Sequence, residues 1–377
     1  MTTAEIEKEL RDALSGLLRQ RSGTEAVAAL ADGPEIWDGA LWKDLVTMGV
    51  PGLAVPEELG GEGAGPVLAA AAQEELGRRL APVPTVSLLA AQAALVAAAG
   101  SGSDAAGAWL RRTAIGEMPA AIAVGRTVDG WTAADDVRAV LADGSWTLDG
   151  QVPAVADATS AGLLLVAAVT DGGPALFSVD RTAEDASCEV TPLDCLDPTR
   201  PLATVVLRHC AAQLLATPEV FPDVLRAAER TALVMLAADA VGVAAEAMDL
   251  AVEHAKTRHQ FGRPIGSFQA VSHRCTDMLI AVESSRALVA AAAEALEEPG
   301  TGTDAAVCLA AAHALESAVT VTQGSLQVHG GMGFTWEHPA HRYLRRAKAS
   351  ESLVALPDRL RERAAAQLLV AAGTAAG

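Results

Sequence analysis

The spacing of apolar residues along the chain changes twice. Over residues 4 to about 112, apolar side chains recur at intervals of three and four positions, as at Leu41 and Leu45, which is the spacing of one helix face. Clusters of glycine and proline interrupt this pattern. The glycine-rich run VPEELGGEGAG at residues 55–65 predicts a loop, and Pro66 or the residues after it are expected to open the next helix. The first part of the chain is therefore predicted to be helical.

The middle part of the chain has a different pattern. Between about residues 119 and 217 the apolar residues form short alternating or β-branched runs, such as VRAVLA, SWTLDG, LLLVAAV, ALFSVD and TVVLRH. Gly, Asp and Pro separate these runs, so they predict a compact antiparallel β unit. Helical periodicity returns at Phe221 and continues almost to the end, with breaks near Gly262, Gly300 and Gly330.

These patterns together predict an α+β fold that is mostly α, with an N-terminal helical domain (1–118), a middle β domain (119–217) and a C-terminal helical domain (218–377). A chain of 377 residues with 51% hydrophobic content is long enough to bury a large core. Only 3% of the residues are aromatic. Packing must therefore rely on Ala, Leu and Val at close approach, which suits helices packed face to face.

Composition and charge exclude several classes of protein. The formal net charge of −19 opposes binding to nucleic acid or to an anionic membrane. The longest apolar helical stretch, residues 231–252, carries Asp239, Glu246 and Asp249, which a membrane span does not tolerate cheaply. The five cysteines lack metal-ligand spacing, as expected of reduced thiols, and no metal site is predicted. Because the start of the sequence has no secretion signal, the protein is expected to be soluble and cytoplasmic.

The first segment with chemical character is RHQFGRPIGSFQ, residues 258–269, where one long helix is predicted to stop and the next to begin. Such a corner exposes helix-end groups and projects the Arg258 guanidinium, the Phe261 ring and the Gln269 amide from one rigid place. Diphosphate and aromatic ligands require such groups. A turn that only joins two helices is equally compatible with this segment.

The second segment is QVHGGMGF, residues 327–334, in which Gln327 precedes three glycines within four positions. At Gly330 and Gly331 the backbone amides can approach an anion in a place where any Cβ would obstruct it. A pair of glycines is also common in a turn between helices, so this segment by itself leaves both interpretations open.

Taken together, and followed by the run HPAHRYLRRAK at residues 338–348, the two segments resemble the acyl-CoA dehydrogenase family. The resemblance extends to residues 41–80, which are similar to the family's LGxPGLxVPEExGG segment and the EELG helix after it. It implies an N-terminal helical domain, a middle β-barrel domain and a C-terminal four-helix bundle. FAD would lie between the middle domain of one subunit and the C-terminal helices of its neighbour.

The resemblance also implies which residues contact FAD across the subunit interface: Arg258, Phe261, Gln269, Gln327, Gly330 and Gly331. The arginine and the first glutamine would reach the ADP part of the cofactor, the phenylalanine fits the matching aromatic position, and the glycine segment would line the diphosphate. In the family reaction a glutamate removes the α-proton of an acyl-CoA thioester, while hydride passes from the β-carbon to the flavin.

The sequence departs from the family at the catalytic base. Most members place the glutamate six residues after the lysine that corresponds to Lys348, and this position is Val354. A second group places it on the earlier helix, at a position that corresponds to Ala232. No catalytic residue is therefore predicted. Glu351 and Glu229 lie about one helical turn away and are candidates for a displaced base, but each is more simply a solvated helix-face charge or a salt-bridge partner.

The middle domain departs as well. The family's TEPxAGSD stretch, which supports the flavin ring, corresponds to AVGRT at residues 123–127, and QVPAVA at residues 151–156 replaces its WIT segment. This uneven loss resembles the non-catalytic partner in actinobacterial heteromeric acyl-CoA dehydrogenases, several of which act on steroid side-chain thioesters. The sequence thus predicts a subunit that contributes FAD contacts to a partner acyl-CoA dehydrogenase subunit that carries the base. Two alternatives remain, namely a homo-oligomeric dehydrogenase with a displaced base and a repurposed protein of a biosynthetic pathway.

Overall fold

The structure, a computed structural model, describes residues 2–33, 37–183 and 187–375. The helices in these ranges are α1 (Thr3–Arg21), α2 (Thr24–Ala31), α3 (Gly39–Thr47), α4 (Gly65–Arg78), α5 (Thr85–Gly100), α6 (Asp104–Ala114), α7 (Phe221–Thr257), α8 (Gln269–Glu297), α9 (Thr303–His329), α10 (Ala340–Ser350) and α11 (Pro357–Ala375). The strands are β1 (Ala120–Ala123), β2 (Gly125–Thr127), β3 (Gly130–Thr132), β4 (Val137–Ala142), β5 (Ser145–Ala156), β6 (Leu163–Thr170), β7 (Gly173–Asp180), β8 (Cys188–Pro192), β9 (Leu202–Ala216), β10 (His259–Gln260) and β11 (Arg263–Pro264). This order of helices, strands and helices confirms the predicted α+β fold.

The middle strands close into a barrel. The hydrogen-bonded path runs β6-β4-β5-β9-β7 and returns to β6. Two further strands pair with members of this closed path, β1 with β6 and β8 with β9. The burial of β4 alternates, with Val137 and Ala139 inside and Arg138 and Val140 outside, as the period of a half-buried strand requires. The side chains that fill the barrel are mainly Ala, Val and Leu around the buried ring of Phe177.

The prediction that this unit is wholly antiparallel is wrong. β1 pairs with β6 in parallel over residues 120–123, and β4 meets β6 in parallel at Arg138 and Val169. Parallel neighbours need a long connection between them, and the strands β2 to β5 supply it for β1 and β6. Period-two alternation looks the same in both kinds of pairing, so the sequence pattern could not distinguish them.

The chain forms two compact units. One contains Leu30–Ala69 and Pro82–Ala232, and the other contains Met1–Ala29, Ala70–Ala81 and Leu233–Gly377. The first unit holds the barrel and the second holds the long C-terminal helices. The three-domain division at residues 118 and 217 stays a prediction.

Helices α4 and α7 cross within the second unit with their backbones in direct contact. A Cβ added at Gly77 would lie 2.3 Å from the carbonyl oxygen of Asp239, and a Cβ added at Gly242 would lie 2.0 Å from that of Glu74. Neither space accepts a methyl group. Close approach of this kind allows a core built from alanine with very few aromatic side chains, as the composition predicts.

A buried ion pair joins α7 to α10 in the same unit. Arg346 Nη1 lies 3.2 Å from Asp239 Oδ1, and the two side chains are 2% and 1% exposed. The Gln73 amide donates to the same Oδ1 at 3.1 Å. Asp239, one of three acidic residues in the apolar stretch of α7, is therefore paired inside the protein.

Within the ranges that the structure describes, two helical segments are long and apolar enough to cross a membrane, namely α7 and Thr303–Phe334. Within their most apolar windows, 89% and 72% of the residues are buried inside the protein itself. The hydropathy of both segments is therefore accounted for by the core, as predicted for residues 231–252. The five cysteines are free thiols, also as predicted.

Candidate functional site

The chain turns sharply where α7 ends. Arg258 N–H donates to the His254 carbonyl at 2.9 Å, and Ile265 N–H donates to the Arg258 carbonyl at 2.8 Å. Between these contacts β10 and β11 pair as a small hairpin, with φ values of 53° at Phe261 and 79° at Gly262. Two successive positive φ values are those of the tight turns that suit a two-residue hairpin loop. The predicted corner is thus a hairpin with phenylalanine at its tip.

This corner presents its side chains outward. The Phe261 ring is 92% exposed, and it touches the Phe268 ring edge-on at a centroid distance of 6.1 Å. The Arg263 guanidinium lies over the same Phe268 ring at 4.1 Å from the centroid, so this guanidinium already forms a cation–π contact within the chain. Arg258 and Gln269, the first residue of α8, are exposed. The three residues predicted here to contact FAD, Arg258, Phe261 and Gln269, are therefore all exposed.

The three glycines of the second segment serve different purposes. Gly330 has φ 61° and ψ −141°, a backbone conformation open to glycine and strained for other residues. A Cβ at Gly330 or Gly331 would meet no atom within 4 Å, so open space lies in front of this backbone. A Cβ at Gly333 would instead lie 3.0 Å from His329 Cβ, which makes that glycine a packing requirement. Gln327 is exposed on the last turn of α9.

The two segments are neighbours in the fold. The rings of His254, on the last part of α7, and His329, the last residue of α9, stack at a centroid distance of 4.7 Å and an angle of 30°. His329 also contacts the ring of His338 at 4.4 Å. The corner and the glycine turn thus begin from adjacent helix ends. No sequence pattern singled out these histidines, because ring stacking between distant residues has no local signature.

Both positions at which the resemblance would place the catalytic base are aliphatic and buried. Ala232 is 2% exposed and Val354 is 3% exposed. Glu351, near the second position, forms an ion pair with Lys348 Nζ at 2.9 Å, and its side chain is 26% exposed. This contact agrees with a salt-bridge partner on the helix surface.

Glu229 has a different environment from the solvated helix face that the sequence indicated. Its side chain is 8% exposed, and its Oε1 accepts the backbone N–H of Trp131 at 2.9 Å. The carboxylate therefore anchors strand β3 to helix α7. A solvated charge is therefore the wrong prediction for Glu229, because its backbone partner lies 98 positions earlier in the chain, and the salt-bridge alternative stays a prediction.

The barrel segments that correspond to the family's flavin platform are closed by their own contacts. A Cβ at Gly125 would lie 2.1 Å from the Ala133 carbonyl oxygen, so the backbone there faces protein and has no open space beside it. The Thr127 hydroxyl donates to the Gly130 carbonyl at 3.1 Å within the β2–β3 hairpin. Val152 and Val155 point into the barrel core. The donor set of residues 258–269 and 327–331 fits a dinucleotide, whereas residues 123–127 and 151–156 do not offer the family's polar groups.

Comparison with known proteins agrees with this arrangement. Family models described as "Acyl-CoA dehydrogenase, N-terminal domain" and "Acyl-CoA dehydrogenase, C-terminal domain" match residues 4–117 and 228–353. The acyl-CoA dehydrogenase IpdE2 of Mycobacterium tuberculosis is 33% identical over 359 residues, which cover 95% of each chain.

Two solved structures are similar over nearly the whole chain. A variant of the Tcur3481-Tcur3483 steroid ACAD has a TM-score of 0.86 and 29% identity, covering 99% of this chain and 100% of that one. The ChsE4-ChsE5 complex from Mycobacterium tuberculosis has a TM-score of 0.84 and 28% identity, covering 98% of each chain. FAD is the standard cofactor of proteins with these domains. On the family models, the identity and the fold, the chain belongs to the acyl-CoA dehydrogenase family.

Proposed function

We propose that this chain is the base-lacking subunit of a two-component FAD-dependent acyl-CoA dehydrogenase, and that it supplies contacts to FAD bound with a partner subunit. The observation that carries the proposal is an asymmetry. The backbone at Gly330 and Gly331 opens to free space beside an exposed arginine corner, while Ala232 and Val354 fill both base positions with buried aliphatic carbon. A carboxylate in the partner would complete the site.

Each proposed contact has a physical role. Arg258 would neutralise charge on the diphosphate, with a planar fork of donors that matches phosphate oxygens. Phe261 and Gln269 would hold the adenosine end, and Gln327, Gly330 and Gly331 would line the diphosphate at close backbone approach. When bound, FAD supplies the acceptor for the hydride that leaves the β-carbon of the thioester. The α-proton would leave to the partner's carboxylate.

The substrate proposed is an acyl-CoA thioester, and a steroid side chain is the proposed acyl group. The similar proteins Tcur3481-Tcur3483, a steroid ACAD, and the ChsE4-ChsE5 complex are each named for two components. These names belong to those proteins and support, for this chain, assembly with a second acyl-CoA dehydrogenase subunit. The division into domains at residues 118 and 217 is proposed as well, and it is supported by the family-model matches at residues 4–117 and 228–353, which leave strands β1 to β9 between them.

The displaced-base alternative is less favoured by the contacts of the two candidate residues. Glu229 is held by the Trp131 amide, and Glu351 is held by Lys348 on the adjacent turn. A base must be free to take up a proton and reach the α-carbon. Each glutamate is instead held in place by a contact with another part of the chain.

The test is the flavin content of the complex after co-expression with an acyl-CoA dehydrogenase subunit that has a glutamate at either base position. Arg258→Ala should weaken FAD binding by roughly ten- to a hundredfold, because a charge-assisted contact contributes about 1.5–3 kcal/mol. Arg263→Ala is the matched control, since that guanidinium already lies on Phe268 and its loss should have a smaller effect. Equal flavin content in the wild type and both variants would contradict the proposal.

A further inference from the structure

Three histidines from different elements form one stacked column. His254 lies on α7, His329 ends α9, and His338 lies in the turn before α10. The centroid distances are 4.7 Å between the first two rings and 4.4 Å between the last two. His329, in the middle, is 6% exposed. The column therefore joins the helix that leads to Arg258 with the turn that contains Gly331.

The hydrogen bonds of the column determine whether Nδ1 carries a proton in two of the rings. His329 Nδ1 lies 2.8 Å from the Ser325 carbonyl oxygen, which only accepts, so this nitrogen carries a proton. Ala340 N–H, at the start of α10, donates to His338 Nδ1 at 3.2 Å. That nitrogen must keep its lone pair, so His338 is neutral with its proton on Nε2. Protonation of His338 Nδ1 would break this contact.

The charged groups that act on the column oppose its protonation. His254 faces His329 and Arg258, and His338 faces His329, His254 and His341. Burial, and then these neighbours, lower the pKa of His254 and of His338 below the ordinary histidine value. His254 and His338 are therefore uncharged at neutral pH, and each takes up a proton only below the ordinary histidine pKa of about 6.5.

We propose that His254, His329 and His338 are positioning residues, whose stacked rings hold the Arg258 corner and the Gly330–Gly331 turn at the separation that one FAD diphosphate requires while His254 and His338 are uncharged. The proposal rests on the proposed function. Its consequence is that protonation of His254 or His338 forces the stacked rings apart. Arg258 and the Gly330–Gly331 turn then lose their alignment with each other. FAD retention should then decrease in weak acid before the fold is lost.

The test measures FAD release by fluorescence from the assembled complex between pH 8 and pH 5. Wild type should release FAD as the pH falls below about 6.5. The double variant His254→Gln, His338→Gln loses the stacked rings and should bind FAD more weakly at pH 7.5, but it cannot take up protons at these positions, so its FAD retention should not decrease further at the lower pH. His329→Ala should raise the FAD dissociation constant by roughly ten- to a hundredfold at pH 7.5, because small misplacement of contacting groups costs about that much. His209→Gln, at an exposed histidine of the barrel, is the control and should match the wild type.

Identical release curves for the wild type and the double variant would overturn the inference while leaving the proposed function intact. A complex that holds no FAD at any pH would contradict the proposed function. In that case, NMR titration of the histidine rings in the full chain tests the stacked column independently of FAD. His254 and His338 should titrate below the ordinary histidine pKa of about 6.5, and His329→Gln should change both curves. Curves of His254 and His338 that His329→Gln leaves unchanged would overturn the column.

Discussion

Loss of Arg346 is expected to be among the most destabilising single changes in the second compact unit. Its Nη1 lies 3.2 Å and 3.4 Å from the two carboxylate oxygens of Asp239, at 2% and 1% side-chain exposure. Replacing the arginine leaves a buried carboxylate without this cation. The bond between Gln73 and the carboxylate remains, but an amide dipole does not neutralise the charge.

The expected magnitude follows from this burial. Removing one partner of a buried ion pair costs about 3–5 kcal/mol, which is a large part of a total free energy of unfolding of about 5–15 kcal/mol. Arg346→Met should therefore shift urea unfolding strongly to lower concentration. The double variant Asp239→Leu, Arg346→Met should recover more than half of the loss, because apolar replacement of a whole buried pair is often close to neutral.

The assay is urea unfolding of the apo chain followed by circular dichroism, with Lys256→Gln as the control. Lys256 pairs with Glu253 at 2.6 Å on the same helix, but both side chains are about two-thirds exposed. Such a pair contributes about 0–1 kcal/mol. The buried ion pair does not have this role if Arg346→Met lowers the free energy of unfolding no more than Lys256→Gln does. The same holds if the double variant is less stable than Arg346→Met.

Three further predictions concern glycines and histidines. Gly242→Ala should destabilise the chain by about 1–3 kcal/mol or more in thermal unfolding, because its Cβ would lie 2.0 Å from the α4 backbone. Gly16→Ala is the control. It lies inside α1 with nothing within 4 Å of the added Cβ, so it should stabilise the chain by about 0.5–1 kcal/mol. Gly331→Ala should leave unfolding within about 0.5 kcal/mol but lower FAD content, because its Cβ enters open space in front of the backbone. Because the pKa values of His254 and His338 are lowered on folding, the unfolded chain binds protons first, and stability should fall as the pH drops below about 6.5. Changing both to Gln should flatten this fall in a comparison of melting temperatures at pH 7.5 and 5.5, while an unchanged slope would contradict it.

The sequence predicted most of the fold because local patterns specify it. The runs VRAVLA and LLLVAAV became β4 and most of β6, and the glycines near residues 262, 300 and 330 lie beside the ends of the long helices. The parallel pairing of β1 with β6 escaped prediction, since strand direction depends on long-range topology. The same limit applied to Glu229, whose partner Trp131 lies on a distant strand.

The candidate site was predictable in its parts and not in its assembly. Motif spacing identified Arg258, Phe261 and the glycine turn as chemically distinctive, and the structure adds why each is suited to its place. A positive φ at Phe261 exposes the ring, and open space beside Gly331 exposes the backbone. The contact between His254 and His329, which joins the two segments, follows only from tertiary packing.

The central claim is that this chain contributes to FAD binding but no carboxylate that takes the α-proton. The most direct test is anaerobic mixing of an acyl-CoA thioester with the assembled complex and with this chain alone, following loss of the flavin's visible absorbance. We expect reduction only in the complex, at a rate that Glu229→Gln and Glu351→Gln leave within about twofold, while replacing the partner's base slows it by about a hundred- to ten-thousandfold. Flavin reduction by this chain alone, abolished by either of its own glutamate substitutions, would contradict the claim.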